Sequence, residues 1–192
     1  MSVRNISVGL ATREDLDAIL QLQRENIESA LSPDEAREQG FLTVVHTSVL
    51  LERMHAIAPS VVARCGNELV GYAITMPIAC RSFVPLLEPM FAMLERLDVG
   101  GRPLRESRYY VCGQVCVARS SRGLGVFDAL YRGHAEQYGR EYNWLVTEIS
   151  TRNPRSLRAH SRVGFQEIAQ YQDAQDDWSV VAWDFRVRNL PA

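Results

Sequence analysis

The sequence predicts a mixed α/β fold, and three observations carry the prediction. A β-rich stretch at 108–118 runs straight into a glycine-bearing turn and a helical pattern at 122–140. A second pair follows, with a strand pattern at 144–150 and a helical one at 153–163. Two β-rich stretches then come in succession, 166–171 and 178–185. Strands alternating with helices, then consecutive strands, describe a mixed sheet with helices packed on it. A length of 192 residues suits a single domain spanning 1–192 with an inserted segment at about 77–107. That length buries an ordinary core without disulfides or metals.

The amino-terminal half reads in the same terms. Residues 7–11 alternate and form a first strand. Thr12 is an N-cap with Asp15 as its capping-box partner, and Leu16, Ile19, Leu20 and Leu22 follow with helical spacing. Ser32-Pro33-Asp34-Glu35 opens a second helix, with proline at its first position and acids in its first turn. Gly40 breaks it, and the pattern to Met54 turns helical again. Strands at 60–64 and 68–76 flank Gly66-Asn67, two residues that tolerate positive φ in a hairpin turn. The stretch from Pro77 to Ser107 is long for a link between strands. It holds a helix at 86–97 and a loop at Gly100-Gly101, and it either shapes a binding site or embellishes the surface.

Composition narrows the function classes. Hydrophobic residues make up 46% and charged residues 23%, the balance of a soluble globular protein. A net charge of −2 announces neither a nucleic-acid nor an anionic-membrane partner. Cys65, Cys80, Cys112 and Cys116 match no zinc spacing and read as buried free thiols, with Cys112 and Cys116, four apart on a strand, sharing a face. No metal site is expected. Residues 1–10 hold no apolar run of signal-peptide length, and no stretch approaches a membrane span, so a cytoplasmic location is expected.

The informative stretch is Val117-Ala118-Arg119-Ser120-Ser121-Arg122-Gly123-Leu124-Gly125-Val126-Phe127. The first backbone N–H groups of a helix lack intrahelical partners and converge where the helix dipole is positive, so they suit phosphate oxygens. Gly123 and Gly125 let a ligand approach the backbone, and Arg122 adds a positive charge. The turn is no P-loop, since Gly125 is followed by Val126-Phe127 in place of Lys-Ser/Thr. It is no dinucleotide fingerprint, since Asp128 stands where a third small residue belongs.

This turn resembles that of the GNAT acyltransferase superfamily, Arg/Gln-x-x-Gly-x-Gly/Ala, with a departure at its sixth position, where Phe127 stands. Phe127 either narrows the cofactor groove or points into the core. Downstream, Asn153 through Gly164-Phe165 looks like the family's second motif at matching spacing. The resemblance covers 108–165 well, 7–76 loosely and 77–107 not at all. It implies a mostly antiparallel central sheet whose middle strands splay apart, with acetyl-coenzyme A as co-substrate. It also implies that Val115 and Val117, with Cys116 between them, pair with the pantetheine arm. Arg122, Gly123, Leu124, Gly125, Val126 and Phe127 then hold the pyrophosphate, and Asn153 contacts the arm.

Amide formation needs a base for the amine. Glu148 lies five residues before Asn153, on the face of Val146 near a strand end, in a cleft or at a solvated edge. The resemblance implies a catalytic glutamate there. His160, seven residues after Asn153, stands where many relatives carry an acid tyrosine. It either protonates the departing sulfur or leaves a thiolate to depart unaided. Tyr109, Tyr110, Gln114 and Tyr171 line the acceptor pocket or simply pack. Arg155, Arg158 and Arg162 form a helical stripe that faces solvent or the phosphates. The implied acceptor is a small-molecule, peptide or protein amine, in a monomer or homodimer. Two other readings stand beside this one, a non-catalytic acyl-coenzyme A sensor or regulatory module and an unrelated nucleotide-binding protein.

Overall fold

In the computed structural model, residues 5–174 and 176–187 are described. The first four residues of the signal-peptide argument therefore lie outside the described residues. The chain opens with β1 (Ile6–Leu10) and a 3-10 turn, Arg13–Asp15, that leads into α1 (Leu16–Arg24). The Thr12 N–H donates to Asp15 Oδ2 at 2.6 Å, as the capping box requires. Leu16, Ile19, Leu20 and Leu22 form the buried stripe of α1. Next come α2 (Pro33–Gln39), capped by the Ser32 hydroxyl and ended by Gly40, and α3 (Ser48–Ile57), capped by Thr47. A loop at 40–47 separates them. The hairpin β2 (Val61–Cys65) and β3 (Glu68–Pro77) turns at Gly66-Asn67.

Residues 78–106 send part of their side chains into the core. Two 3-10 turns, α4 (Glu88–Leu94), the two-residue pair β4 (Asp98–Val99) and β5 (Arg102–Pro103), and another 3-10 turn pack inward. Cys80, Leu87, Met90, Phe91, Leu94 and Leu104 all join one core cluster. The helix expected at 86–97 shortens to α4; Pro85 opens the 3-10 turn that precedes it, and Pro89 sits in its first turn.

β6 (Tyr109–Val117) is followed by a turn, α5 (Val126–Tyr138), β7 (Trp144–Ser150), α6 (Pro154–Val163), β8 (Gln166–Gln172) and β9 (Asp177–Asp184). Here α5 begins at Val126, four residues later than the pattern from Arg122 predicts. A 3-10 turn, Arg119–Ser121, and the left-handed Gly123 and Gly125 precede it. The sheet order is β1-β2-β3-β6-β7-β9-β8, antiparallel throughout except for β6–β7. One core face packs under α1, α3 and α4, the other under α5 and α6.

All four cysteines are free, and Cys80, Cys112 and Cys116 are buried. Cys112 and Cys116 do not share a face. The register shifts between Thr75↔Cys112 and Ala73↔Val115, which places an extra residue in β6. That bulge sends Cys112 to the α5/α6 side and Cys116 to the other. Among the described residues no cluster of three or more His, Cys, Asp or Glu is placed to hold a metal ion, and no helix is long and apolar enough to cross a membrane.

Candidate active site

The parallel pairing of β6 and β7 lasts three residues, Tyr109↔Trp144 to Val111↔Val146. Beyond it the strands part, although both run on. The Ala118 N–H donates to Val70 O on β3, so by alternation Val115 and Val117 turn their backbone groups toward the opening. Across that opening lie two adjoining cavities, of about 600 Å³ and 80 Å³. Phe41, Leu42, Val115, Asn153 and Ser156 line both.

The larger cavity lies over the turn. Val115, Cys116, Val117, Arg122, Gly123, Gly125, Val126, Phe127 and Asn153 all line it. Leu124, predicted with them, does not line it and stands exposed at 52%. Gly123 and Gly125 sit at φ 78° and 76°, the left-handed region that any side chain strains. They lead into Val126, Phe127 and Asp128, the first turn of α5, which line the cavity and whose N–H groups have no intrahelical partner. Arg122 is held in place on the cavity wall. Its Nη2 donates to Asn26 Oδ1 at 2.5 Å and its Nε to Val117 O at 3.3 Å. It ties the end of β6 to the end of α1, and it already occupies one of the carbonyls assigned to the pantetheine arm.

The arginine stripe, read from sequence as a solvated or a phosphate-facing surface, lines this cavity. Arg155, Arg158 and Arg162 join Arg122 around it, against a single acid, Asp128, which Arg162 pairs at 2.7 Å. The sequence signal was the i, i+3, i+7 spacing; only the packing of α6 beside α5 shows which way that face turns. Residues 39–42 also line the cavity, and nothing in their sequence marked them. Asn153 links these parts. Its Oδ1 accepts from the Ser156 N–H at 3.1 Å, capping α6, and its Nδ2 donates to Phe41 O at 3.3 Å. Gly40 is required beside it, since a Cβ there would lie 2.9 Å from Asn153 Oδ1.

Phe127 settles between α5 and α6. Its ring centroid lies 5.0 Å from both the Tyr131 and the His160 rings, and it still borders the cavity. It fills the space between the helices and leaves its N–H in the first turn.

The smaller cavity is the floor of the opening. Gln114, Thr147, Glu148, His160 and Trp178 line it. Glu148 is half-buried, and burial pushes its carboxyl up to about 7. The Tyr171 hydroxyl donates to its Oε2 and opposes that rise, while the negative charge of Asp173 reinforces it. Gln114 is committed elsewhere, accepting from the Tyr72 hydroxyl at 2.6 Å and donating to Val44 O at 2.7 Å. Tyr109 and Tyr110 pack in the core and line neither cavity, and no residue of 78–106 does either.

His160 is placed differently from a proton donor. It is buried, its Nδ1 lies 2.8 Å from Ser156 O, and its Nε2 lies 2.6 Å from the Tyr131 hydroxyl. A carbonyl beside Nδ1 requires N–H there, which leaves Nε2 to accept from Tyr131. Burial lowers its pKa to about 4, so the ring is neutral at neutral pH with its one proton bound to the backbone.

The fold is that of the GNAT acetyltransferases. A GNAT-family acetyltransferase from Streptococcus agalactiae superposes with a TM-score of 0.65 at 14% identity, covering 96% of this chain and 98% of that one. Arabidopsis thaliana NAA60, in complex with acetyl-CoA, gives 0.64 at 14% identity over 94% of this chain and 99% of its own. The ribosomal-protein-alanine N-acetyltransferase of Brucella melitensis gives 0.60 at 21% identity over 93% and 99%. No protein-family model matches the chain, and no curated protein matches its sequence.

Proposed function

We propose that this chain is an N-acetyltransferase that moves an acetyl group from acetyl-coenzyme A to a primary amine by direct attack. The observation that carries this reading is the position of Glu148, a carboxylate with a pKa near 7 on the floor of a split sheet. A cavity suited to a phosphorylated carrier opens beside it.

The residues fit coenzyme A. Four arginines and the first turn of α5 offer positive charge and free N–H groups to its phosphates. The parted edge of β6 offers the backbone of Val115 to the pantetheine arm, with Cys116 and Val117 forming the wall. The bound thioester supplies an activated acyl carbon. Arg122, Gly123, Gly125, Val126 and Phe127 form the cavity side of the phosphate turn, with the Leu124 side chain turned to solvent. Asn153 acts by capping α6 and fixing the 40–42 backbone against the cavity. The acetyl-CoA bound to the NAA60 neighbour supports this choice of donor.

Glu148 takes the proton. Tyr171 occupies Oε2, so Oε1 is the atom that receives it, directly or through a water. A carboxyl near pKa 7 is about half ionised at neutral pH, where a base works best. His160 holds no proton to give the departing sulfur. A thiol pKa of about 8.5 lets a thiolate depart without an acid. The acceptor is an amine on a small molecule, a peptide or a protein. A ribosomal-protein N-acetyltransferase among the structural neighbours supports the last of these.

Calorimetric titration with acetyl-coenzyme A, followed by thiol release against an amine panel, tests the reading. Binding with turnover supports it. Binding without turnover on any amine replaces it with an acyl-coenzyme A sensor, the role left when a neutral His160 and an unused Glu148 are all the cleft contains.

A further inference from the structure

We propose that Tyr171 is a positioning residue for Glu148, delivered to it by a β-bulge in the edge strand β8. This rests on the reading of Glu148 as the base.

The register of β8 on β9 runs Gln166↔Ala182 and Glu167↔Val181, then resumes at Ala169↔Val180. Ile168 has no partner of its own, which is the signature of a bulge. Side chains directly opposite one another share a face of the sheet. Glu148 lies opposite Val180, so it shares the Val180 face, the α1/α3/α4 side. Without the extra residue, strict alternation from Gln166 would send Tyr171 to the α5/α6 side. With it, Tyr171 lies opposite Trp178 on the Glu148 face and packs against the same core cluster as Val180. From there its ring crosses β9, and its hydroxyl donates to Glu148 Oε2.

The contact has a directional consequence. A donor on one carboxylate oxygen stabilises the ionised form and fixes the plane of the carboxylate, leaving Oε1 as the free acceptor. The other elements around Glu148 compete weakly. The 41–44 loop and the nearby part of β6 carry no titratable side chain there. His160 on α6 is neutral, and Asp173 beyond β8 pushes the carboxyl the opposite way from Tyr171. Among the described residues Tyr171 is therefore the one group at this carboxylate that favours its charge, and the bulge is what supplies it.

Tyr171→Phe tests this, read in two ways. Carbon-detected NMR titration of Glu148 in the ligand-free protein should show its midpoint rising by about one pH unit, since a hydrogen bond to a charged group is worth roughly that much. The acid limb of kcat/KM should rise by the same amount. The rate should then fall about fivefold at pH 7 and return to the wild-type value near pH 9. A folded Tyr171→Phe with an unmoved Glu148 titration overturns the proposal. So does a rate loss equal at every pH, which would mark a merely structural role. The NMR arm needs no turnover. A shifted midpoint in a protein that acetylates nothing would leave the positioning role intact and remove the transferase reading instead.

Discussion

Thr147 donates its hydroxyl to the Cys112 carbonyl at 2.9 Å, at the first step where β6 and β7 no longer pair. The main-chain ladder ends at Val111↔Val146, and a carbonyl left bare just beyond it would be buried without a donor. A side chain of β7 replaces the missing main-chain bond and lets the strands part. Thr147→Val keeps the shape and removes the donor. Urea unfolding should show a loss of about 1–3 kcal/mol, the penalty of one unsatisfied buried group.

Glu148→Gln should abolish most turnover while leaving acetyl-coenzyme A affinity within about twofold of the wild type. With Glu148 as the proposed base, the ionised carboxylate is the active form. The rate should therefore climb as pH rises through about 7 and level off above it. Steady-state kinetics from pH 5.5 to pH 9 check both, and the glutamine variant should lack the inflection.

The glycine turn before α5 depends on backbone shape rather than on space. A Cβ on Gly125 would meet no atom within 4 Å, yet φ is 76°. Gly125→Ala should cost about 1–2 kcal/mol through the left-handed backbone alone. It should weaken acetyl-coenzyme A binding in calorimetry more than it lowers the melting temperature.

Arg158 lines the larger cavity and, among the described residues, forms no ion pair or side-chain hydrogen bond, unlike Arg122, Arg155 and Arg162. It is the cation most available to an incoming phosphate. Arg158→Ala should weaken acetyl-coenzyme A binding roughly three- to tenfold with kcat unchanged, and the loss should shrink as salt rises.

Three buried histidines make the fold acid-sensitive. Burial lowers His46 to about 4, His134 to about 3 and His160 to about 4, all from an ordinary 6.5. The unfolded chain takes up these protons first. The stability the histidines contribute is therefore complete above pH 6.5 and is lost as pH falls toward 4. Glu148, raised from 4.5, acts in the opposite sense over part of that range, one group against three. Melting temperature should drop steeply between pH 6.5 and pH 4, and Tyr131→Phe, which removes the donor to His160, should lower the whole curve.

Much of the site was legible because its chemistry is local. A glycine at positive φ, a helix start and an Asn cap announce themselves within a few residues, and so Arg122 to Phe127 and Asn153 could be read along the chain. Leu124 was grouped with them because a turn spacing does not say which side chain points outward, and its side chain stands exposed. Whether His160 acts as an acid was left open along the chain for a related reason. Its lowered pKa comes from burial, and its proton is held at Ser156 O while Tyr131, 29 residues away, meets the other ring nitrogen.

The order of strands and helices, the glycine turn and the place of Glu148 near the end of β7 were legible in the sequence itself, because hydrophobic period and backbone preference act over neighbours. Tertiary structure alone decided the rest. Two bulges, in β6 and in β8, shift which face each later side chain takes, so Cys116 parts from Cys112 and Tyr171 reaches Glu148. The inward packing of 78–106, the turn of the arginine stripe onto the cavity and the raised carboxyl of Glu148 arise only when segments far apart in the chain exclude water together.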